Sequence, residues 1–361
     1  MRCVITADIW GASRAARNHN NIKVMRKIIA IGECVLDILF DGDAPRLLSP
    51  GGLILNVASN LGRIGREVSF VGETARDRVG DIIVDSLKAN NVSVDHIDRY
   101  TEGVTPASLI FRDNDGVPQI VRYGRNNDDS FDVVWPRIEK DDILIFGGYY
   151  AIDPRVRPHL FEIVKHASER KAVILYVPGF APEKEPRITR VMPAILENFE
   201  IADMVITRNR DLDTIFRTVD DGVAYKNNIS FYVHDFINID RDNARLRYYH
   251  DKEMVEMSVA TGGNRFAWSV GAITGVIEAM IKKDITRFTL SGEGEAVMHT
   301  LTQLARETGQ PVARLMSQLE GNRDLLNERI SEATMSEVLA EAAEMAGIAA
   351  NSADGLLPVK K

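Results

Sequence analysis

Residues 51–65 read GGLILNVASNLGRIG, and this stretch organises the rest of the chain. A glycine pair, Gly51-Gly52, stands directly before a segment in which Val57, Leu61 and Ile64 fall on one face at helical spacing. Glycine has no Cβ, so the backbone at these positions can approach a ligand closely. The stretch predicts a loop that leads into an amphipathic helix.

Strands and helices alternate on both sides of this segment, and the alternation predicts a mostly parallel sheet with helices on both faces. The strand segments are rich in β-branched and apolar residues, and the helical segments carry apolar residues every three or four positions. The predicted strands are 27–40, 68–72, 142–147, 172–177, 204–207, 229–233, 246–250 and 254–259, and the predicted helices are 79–90, 158–170, one before Asn198, and 264–281.

A pair of short strands interrupts the alternation. Ala107–Arg112 and Gln119–Tyr123 flank the sequence DNDG at 113–116, which is a turn signal between two β segments. This pattern predicts a hairpin at about 105–125, which would be a small β element added to the α/β body.

Composition excludes several classes of protein. With 45% hydrophobic and 27% charged residues, the chain has the make-up of a folded globular protein. The net charge of −8 argues against a nucleic-acid partner. Two cysteines, Cys3 and Cys34, are too few for a disulfide scaffold or a cysteine-rich zinc site, and the seven histidines lack ligand spacing, so no metal site is predicted. The longest apolar run, 143–152, is too short to span a membrane.

The two ends of the chain differ in character from the middle. Residues 1–24 carry basic residues without an apolar stretch, so we interpret them as a tail or an upstream start, with a transit peptide as the alternative. We expect residues 25–361 to form the α/β domain and to fold without that tail, in the cytoplasm. A polar, amphipathic stretch at about 290–331 resembles a helical insertion, which either packs on the body or offers a partner surface.

Three landmarks together resemble the ribokinase-like sugar kinases of the PfkB family, of the fructokinase-like type. They are the opening IGECVLD at 31–37, the GGLILNVA at 51–58, and the loop and helix at 261–275. The resemblance implies a three-layer α/β fold with a small β lid, and a reaction in which ATP, with Mg²⁺, phosphorylates a sugar hydroxyl. It also implies a sugar held between the sheet edge and the lid, and it allows a homodimer through the lid.

The sugar half of the family's site is retained. The resemblance places sugar contacts at Asp37, Gly51, Gly52 and Asn56, and it suggests a lid arginine at Arg125, with Arg122 as the neighbouring alternative. The chemistry agrees, because a carboxylate accepts strong hydrogen bonds from hydroxyls and an asparagine both donates and accepts. Taken without the resemblance, the same residues could equally be a turn acid, a loop glycine pair and a helix N-terminal asparagine.

The catalytic half departs from the family. The family's Thr-Gly-Ala-Gly-Asp supplies an anion hole at a helix N-terminus and an aspartate base, whereas this chain has Thr261-Gly262-Gly263-Asn264-Arg265. Arg265 therefore stands at the base position, and a guanidinium cannot accept a proton. It could hold a phosphate statically, or it could reach a nearby carboxylate and plug the pocket.

Three further positions agree with that loss. The family's Asn-x-x-Glu reads Asn209-Arg210-Asp211-Leu212, where Asp211 or Asp213 offers partial rescue at most. The family's Asp-Pro-Asn reads Val177-Pro178-Gly179, and the glycine turn expected after 229–233 reads His234-Asp235-Phe236. These departures count against ATP and Mg²⁺ binding.

Two functions remain open at this stage. The chain is either a divergent sugar kinase or a non-catalytic protein that binds a sugar or sugar phosphate as a sensor or partner. A purely structural dimer partner, with no ligand, is the third alternative. Asp37, Gly52 and Asn56 fit the first two equally, whereas Val177, Leu212 and Arg265 favour the second.

Overall fold

The structure is a computed structural model, and it describes residues 26–112, 118–124, 131–179, 187–290, 293–317 and 330–360. The tail at 1–24, the hairpin turn at 113–116, Arg125 and part of the predicted helical insertion lie outside the described residues. Among the described residues, none of the helices has the length and apolarity that crossing a membrane would require.

A large, mostly parallel sheet forms the centre of the protein, as predicted. Its strands are β1 (Ile28–Ile31), β4 (Val68–Ala75), β5 (Val92–Tyr100), β8 (Ile143–Gly147), β9 (Val173–Val177), β10 (Met204–Arg208), β11 (Asp235–Asp240), β12 (Arg245–His250) and β13 (Glu253–Ser258). They lie in the order β13-β12-β11-β10-β9-β8-β1-β4-β5. The β11–β12 and β12–β13 pairs are antiparallel, and the other pairs are parallel.

Helices cover both faces of this sheet. Alternate residues of β1 enter opposite cores: Ile28 and Ala30 belong to one apolar cluster, and Ile29 and Ile31 belong to the other. A strand buried on both faces is the reason that its sequence is continuously apolar. The helices are α1 (Leu53–Arg63), α2 (Arg78–Ala89), α3 (Arg157–Glu169), α4 (Ile188–Ile201), α5 (Asn209–Phe216), α6 (Asp221–Asn227), α7 (Arg265–Lys282), α8 (Arg287–Leu290), α9 (Glu293–Thr308), α10 (Val312–Ser317) and α11 (Glu332–Asn351).

A second, four-stranded sheet forms the small β element. It contains β2 (Val35–Asp41), β3 (Ala44–Gly51), β6 (Ala107–Arg112) and β7 (Pro118–Tyr123), in the order β3-β2-β6-β7. The predicted hairpin is therefore confirmed as β6 and β7, and we call the whole four-stranded sheet the lid sheet. The sequence did not indicate β3, whose prolines are tolerated because β3 is an edge strand.

Two strand predictions were wrong. The predicted strand 27–40 is two strands, β1 and β2, in different sheets, so Asp37 lies inside β2 rather than at the end of the first strand. The predicted strand 229–233 is a 3₁₀ turn at Ile229–Phe231 instead. Ile229 and Val233 are buried four residues apart while Phe231 is 77% exposed, which is helical spacing rather than strand alternation.

Asn60 connects α1 both to the C-terminal segment and to α7. Asn60 of α1 is fully buried; its Oδ1 accepts a hydrogen bond from the Leu357 amide at 2.8 Å, and its Nδ2 donates to Thr274 Oγ1 at 3.3 Å. Arg63, one turn later, donates to the Leu357 carbonyl and forms an ion pair with Asp354. The helix that begins at the glycine pair is thus held at its far end by the end of the chain.

We predict that Asn60→Ala lowers the free energy of unfolding by about 1–3 kcal/mol, because it leaves the buried Leu357 amide without its acceptor. Urea denaturation measures the change. Asn351→Ala, an exposed asparagine that bonds only to its own helix among the contacts described, is the matched control and should change little. Equal stability of the two variants would contradict the role of Asn60.

A histidine and two aspartates form a network where β11 begins and β12 ends. Asp235 is fully buried; it accepts hydrogen bonds from Tyr248 Oη at 2.7 Å and lies 3.0 Å from His250 Nδ1. Burial alone would lower the pKa of His250, but the bond to Asp235 and the charges of Asp235, Asp251 and Glu253 outweigh burial and raise it. The folded protein therefore holds this proton more tightly than the unfolded chain does.

This raised pKa predicts a pH dependence of stability. A histidine whose pKa is higher in the folded state stabilises the fold fully below its unfolded pKa of 6.5, and that contribution is lost as pH rises through the folded value. Urea denaturation at pH values on both sides of 6.5 should show stability falling as pH rises, with a flatter profile in His250→Gln. His159→Gln, at an exposed position, should keep the parental slope, and a parental slope in His250→Gln would contradict the assignment.

Candidate functional site

The glycine pair and Asp37 meet at the carboxyl end of the large sheet. Gly51 ends β3 against the Asp37 carboxylate, and a Cβ at Gly51 would lie 2.2 Å from Asp37 Oδ2. Only glycine therefore fits beside the carboxylate in this backbone arrangement. The contact brings Asp37 directly to the loop that begins α1, so two of the residues singled out in the sequence lie together.

Gly52 supplies the turn into α1. Its φ of 117° lies in a region that favours glycine, and a Cβ there would come within 2.3 Å of the Glu33 carbonyl oxygen. The Gly52 carbonyl accepts hydrogen bonds from the Asn56 amide and from Asn56 Nδ2 at 2.9 Å. Asn56 thus lies one turn above the glycine pair and is held by it. Asp37, Gly51, Gly52 and Asn56 therefore lie close together, and we call this group of residues the sugar pocket.

Arg122 contacts Glu33, whose carbonyl oxygen adjoins Gly52, whereas Arg125 lies outside the described residues. Arg122 Nη1 donates to Glu33 Oε2 at 2.9 Å. The strand register places Asp37 beside Ser108, and Ser108 opposite Arg122, so all three project from the same face of the lid sheet. The sequence analysis did not single out Glu33 or Ser108, because the strand register that aligns them with Arg122 is a tertiary property.

A buried carboxylate lies behind the pocket. Glu73, at the end of β4, is fully buried and accepts a hydrogen bond from Tyr150 Oη at 2.9 Å. Burial and the Glu73 charge raise the pKa of the Tyr150 hydroxyl well above its usual value, so the hydroxyl keeps its proton. Burial, with Glu73 again contributing, also raises the pKa of the Cys34 thiol. Cys34 is therefore a packing residue rather than a nucleophile.

The loop at 261–264 lies at the N-terminus of α7, as predicted. Thr261, Gly262, Gly263 and Asn264 are exposed to solvent, and the Asn264 amide donates to the Ala350 carbonyl at 2.9 Å. Asn264 is the residue that caps the helix. Its Oδ1 accepts hydrogen bonds from the amides of Phe266 at 3.0 Å and Ala267 at 3.2 Å. Asn264 Oδ1 thus accepts hydrogen bonds from two amides at the helix N-terminus, where an anion could otherwise bind.

Arg265 forms an ion pair with Asp242, and both side chains are largely exposed. Of the two possibilities that the sequence left open for Arg265, this contact is the carboxylate pair. A second arginine, Arg241, lies close to the same loop, with its Nη2 3.4 Å from the Gly262 carbonyl and 3.3 Å from the Gly263 carbonyl. The two arginine contacts therefore join the β11–β12 turn to the first residue of α7 and to the loop before it.

Asn209 is the first residue of α5 and belongs to a chain of polar contacts. Its Oδ1 accepts from Asn238 Nδ2 at 2.7 Å, and Asn238 Oδ1 in turn accepts from Thr207 Oγ1 at 3.1 Å. Burial alone would raise the pKa of Asp240, but hydrogen bonds from Asn243 and Asn209 and the charge of Arg245 lower it. The polar side chains near the start of α5 therefore form hydrogen bonds with one another.

The position of the family's glutamate carries no acidic group toward the cleft. Leu212 is fully buried and belongs to one of the two apolar cores. Asp211 is also buried, and Arg208 donates to both of its oxygens, at 3.0 and 2.7 Å. Asp211 is therefore engaged by Arg208, and rescue of the metal site by this residue does not fit the structure. Asp213 is exposed on α5.

The predicted turn lies at a different position from the one expected, although it lacks glycine as expected. Asp235 and Phe236 begin β11 rather than forming a turn, and the turn after that strand is 241–244. That turn, RDNA, also lacks glycine. At the end of β9, Val177 is buried and leads into Pro178-Gly179 without an acidic residue.

The small residues of α11 pack against α7. Cβ atoms at Gly271 and Gly275 would lie 2.5 Å from the Met345 carbonyl oxygen and the Ala342 Cα. Ala342 and Ala346 are buried in this contact. These alanines therefore serve helix packing.

Comparisons with known proteins agree with this architecture. A profile of the pfkB family carbohydrate kinases matches residues 25–234, more than half of the chain. The probable chloroplastic fructokinase-6 of Arabidopsis thaliana is 24% identical over 204 residues, which is 53% of this chain and 53% of that protein. The guanosine-inosine kinase of Exiguobacterium acetylicum is 32% identical over 102 residues, 26% of this chain and 34% of that protein. The chain thus spans about half the length of these curated relatives, or less.

Solved structures extend the likeness over nearly the whole fold. A fructokinase from Xylella fastidiosa with bound ATP has a TM-score of 0.68 at 17% identity, covering 93% of this chain and 96% of that one. A fructokinase double mutant from Vibrio cholerae O395, with fructose, ADP and potassium bound, has a TM-score of 0.67 at 14% identity, covering 93% and 95%. At these identities the structures establish the fold alone. The family match establishes more: the chain belongs to the pfkB family of carbohydrate kinases.

The family implies ATP and a divalent metal, and the residues present here do not fit them. The helix amides that would face a phosphate are capped by Asn264, and Leu212 stands in the core where an acidic residue would help to hold the metal. Within the described ranges, no group of three or more His, Cys, Asp or Glu residues is arranged to hold a metal ion. No step of a reaction is therefore derived through ATP or Mg²⁺.

We predict that restoring the loop alone does not restore a kinase. The double change Asn264→Gly and Arg265→Asp recreates the family's glycine and aspartate, but Leu212 and the Arg208–Asp211 pair remain. ADP release with a sugar panel should stay at the parental level, and circular dichroism should verify folding. Sugar-dependent ADP release from the double variant, absent from the parent, would contradict this by making the loop the only defect.

Proposed function

We propose that this protein binds a sugar in the sugar pocket and carries out little or no phosphoryl transfer. The observation that carries the proposal is the position of Asn264 Oδ1, which accepts from the Phe266 and Ala267 amides at the N-terminus of α7. A phosphate that approached these amides would have to displace the chain's own oxygen. Removing even one oxyanion-hole donor typically costs about a hundred- to a thousandfold in rate.

The base position supports the same proposal. Arg265 cannot accept a proton from a sugar hydroxyl, and loss of a general base alone typically costs about a hundred- to ten-thousandfold. The two losses affect different parts of the chemistry, because one concerns the developing charge on phosphate and the other concerns the attacking oxygen. Together they favour binding without turnover over a slow kinase.

The sugar pocket supports the binding part of the proposal. The Asp37 carboxylate lies against Gly51, and Glu33 and Arg122 add an acceptor and donors nearby. A pair of carboxylates facing an arginine is suited to a ligand with several hydroxyl groups. The relatives' names, fructokinase above all, make D-fructose the first ligand to test.

A free sugar is favoured over a sugar phosphate as the ligand. The charge of Arg265 is paired with Asp242, and the helix amides beside it are capped. A phosphate would gain little from either group. A protein of this kind would act as a sensor of the sugar or as a partner of another protein, and we expect it in the cytoplasm, as a monomer or as a homodimer through the lid sheet.

We predict that calorimetry with the parent protein detects D-fructose or a related sugar but not ATP with Mg²⁺. Asp37→Ala should weaken sugar binding by about ten- to a hundredfold, because hydrogen bonds to a charged acceptor contribute about 1.5–3 kcal/mol. Asp41→Ala removes an exposed aspartate from the same strand and should leave the affinity unchanged.

Three results would contradict the proposal. Sugar-dependent ADP release by the parent would show that the protein is a divergent kinase, which is the alternative function that its family membership supports. Equal sugar affinity of Asp37→Ala and the parent would place the sugar site elsewhere. A sugar phosphate that binds better than the sugar, with an advantage that shrinks as salt is added, would show that Arg265 serves an anion pocket.

A further inference from the structure

A row of four titratable side chains joins the turn between β12 and β13 to the start of β11. At its outer end, His234 pairs with Asp251, and the two side chains are 58% and 43% exposed. At its inner end, His250 Nδ1 lies 3.0 Å from Oδ1 of Asp235, which is fully buried. His250 Nε2 lies 3.9 Å from Asp251 Oδ2. The row therefore runs from solvent to a buried carboxylate.

The buried Asp235 carboxylate depends on His250 for its positive partner. Asp235 Oδ1 also accepts a hydrogen bond from Tyr248 Oη, and burial and the Asp235 charge raise the pKa of Tyr248, so this hydroxyl keeps its proton. Within the described part of the chain, Asp235 Oδ2 is buried without a hydrogen bond. When His250 is neutral, the Tyr248 hydroxyl and the His234 charge remain to support the carboxylate. A buried carboxylate with so little support is unfavourable.

The groups that face His250 from other strands and from the turn favour its protonated form. Glu253 lies opposite His250 across the β12–β13 hairpin, and Asp251 follows it in the turn. Both charges, together with Asp235, act to keep the proton on the imidazole. Lys252, the other charged residue of the turn, is exposed to solvent.

Two helices pack near this turn without adding a charged group to the row. On α6, Tyr225 Oη donates to the carbonyl oxygens of His234 at 2.7 Å and Asp251 at 3.3 Å. The Asp251 amide also donates to the His234 carbonyl. Helix α11 packs against β12, and the first of its buried residues are apolar: Met335, Val338 and Leu339.

An arginine holds the middle of β12 in a way that does not change with pH. Arg247 Nη1 donates to Oδ1 of the buried Asp221 on α6 at 2.7 Å, and its Nε donates to Glu256 Oε2 on β13 at 2.6 Å. A guanidinium stays protonated throughout the range in which histidine titrates. The middle of β12 is therefore fixed by a permanent charge, whereas its end is fixed through an imidazole.

We propose that the His250–Asp235 pair is a proton-operated clasp, which holds the β12–β13 turn against the start of β11 and releases it when His250 loses its proton, while the middle of β12 stays bound to α6. The closed clasp binds the proton more tightly than the open one. It is therefore fully closed below the unfolded pKa of 6.5 and opens as pH rises through the higher folded value. The clasp is independent of the sugar pocket, which lies at the opposite end of the large sheet.

Hydrogen exchange of the full chain without ligand tests the clasp, with each rate corrected for the intrinsic exchange rate at its pH. Between about pH 5.5 and about pH 8.5, protection of the amides at 234–236 and 250–253 should fall about tenfold, since a charge-assisted hydrogen bond contributes at least that factor. Protection at 245–248, beside Arg247, should change much less. An equal fall over 245–248 would show that the whole edge of the sheet opens, and it would overturn the clasp.

Variants assign the response to one histidine. His250→Gln keeps a hydrogen-bond donor but carries no charge, so protection at 250–253 should be the same at both pH values. Asp235→Asn removes the buried charge and should abolish the response as well, which gives a second test should His250→Gln fail to fold. His159→Gln, at an exposed position of α3, and His234→Gln should keep the response. A parental response in His250→Gln, or its loss in His234→Gln, would overturn the proposal.

Discussion

The close contact between Gly32 and Ile54 lies where the large sheet, the lid sheet and α1 meet. Gly32 directly follows the central strand β1, and a Cβ there would lie 2.8 Å from the Cβ of Ile54 in α1. Because Gly32 has no side chain, α1 packs closely against the end of β1. The chain then enters the lid sheet at Val35, three residues later. A side chain at Gly32 would push α1, and with it the glycine pair, away from the strand that carries Asp37.

The two halves of the cleft have reached different states. On the side where we propose sugar binding, Asp37, Gly51 and Gly52 bring a carboxylate close to backbone that carries no side chain. On the nucleotide side, the polar groups bond to one another: Asn264 caps the helix, and Arg265 pairs with Asp242. Buried or converging polar groups need partners, and here the chain supplies them itself.

The nucleotide side is also internally consistent, which a single chance substitution would not produce. Leu212 enters the apolar core, while its neighbour Asp211 is bonded to both nitrogens of the Arg208 fork. Arg241 approaches the carbonyls of the loop that Asn264 ends. Asn264, Arg265 and Leu212, three of the departures from the family pattern, thus each make contacts within the chain itself.

Much of the fold and part of the site could be predicted from the sequence. Apolar runs and helical spacing marked the large sheet, α1 and α7, because burial on both faces of a parallel sheet leaves a local pattern. The glycine pair and the changed loop at Arg265 could be read in the same local way. The division of 27–40 between two sheets, the helical turn at Ile229 and the edge strand β3 could not, since they depend on what packs against each segment. The approach of Glu33 to Arg122 and of Arg265 to Asp242 likewise came only from tertiary structure, because residues 89 and 23 positions apart meet through strand register and chain reversal, neither of which leaves a mark in the local sequence.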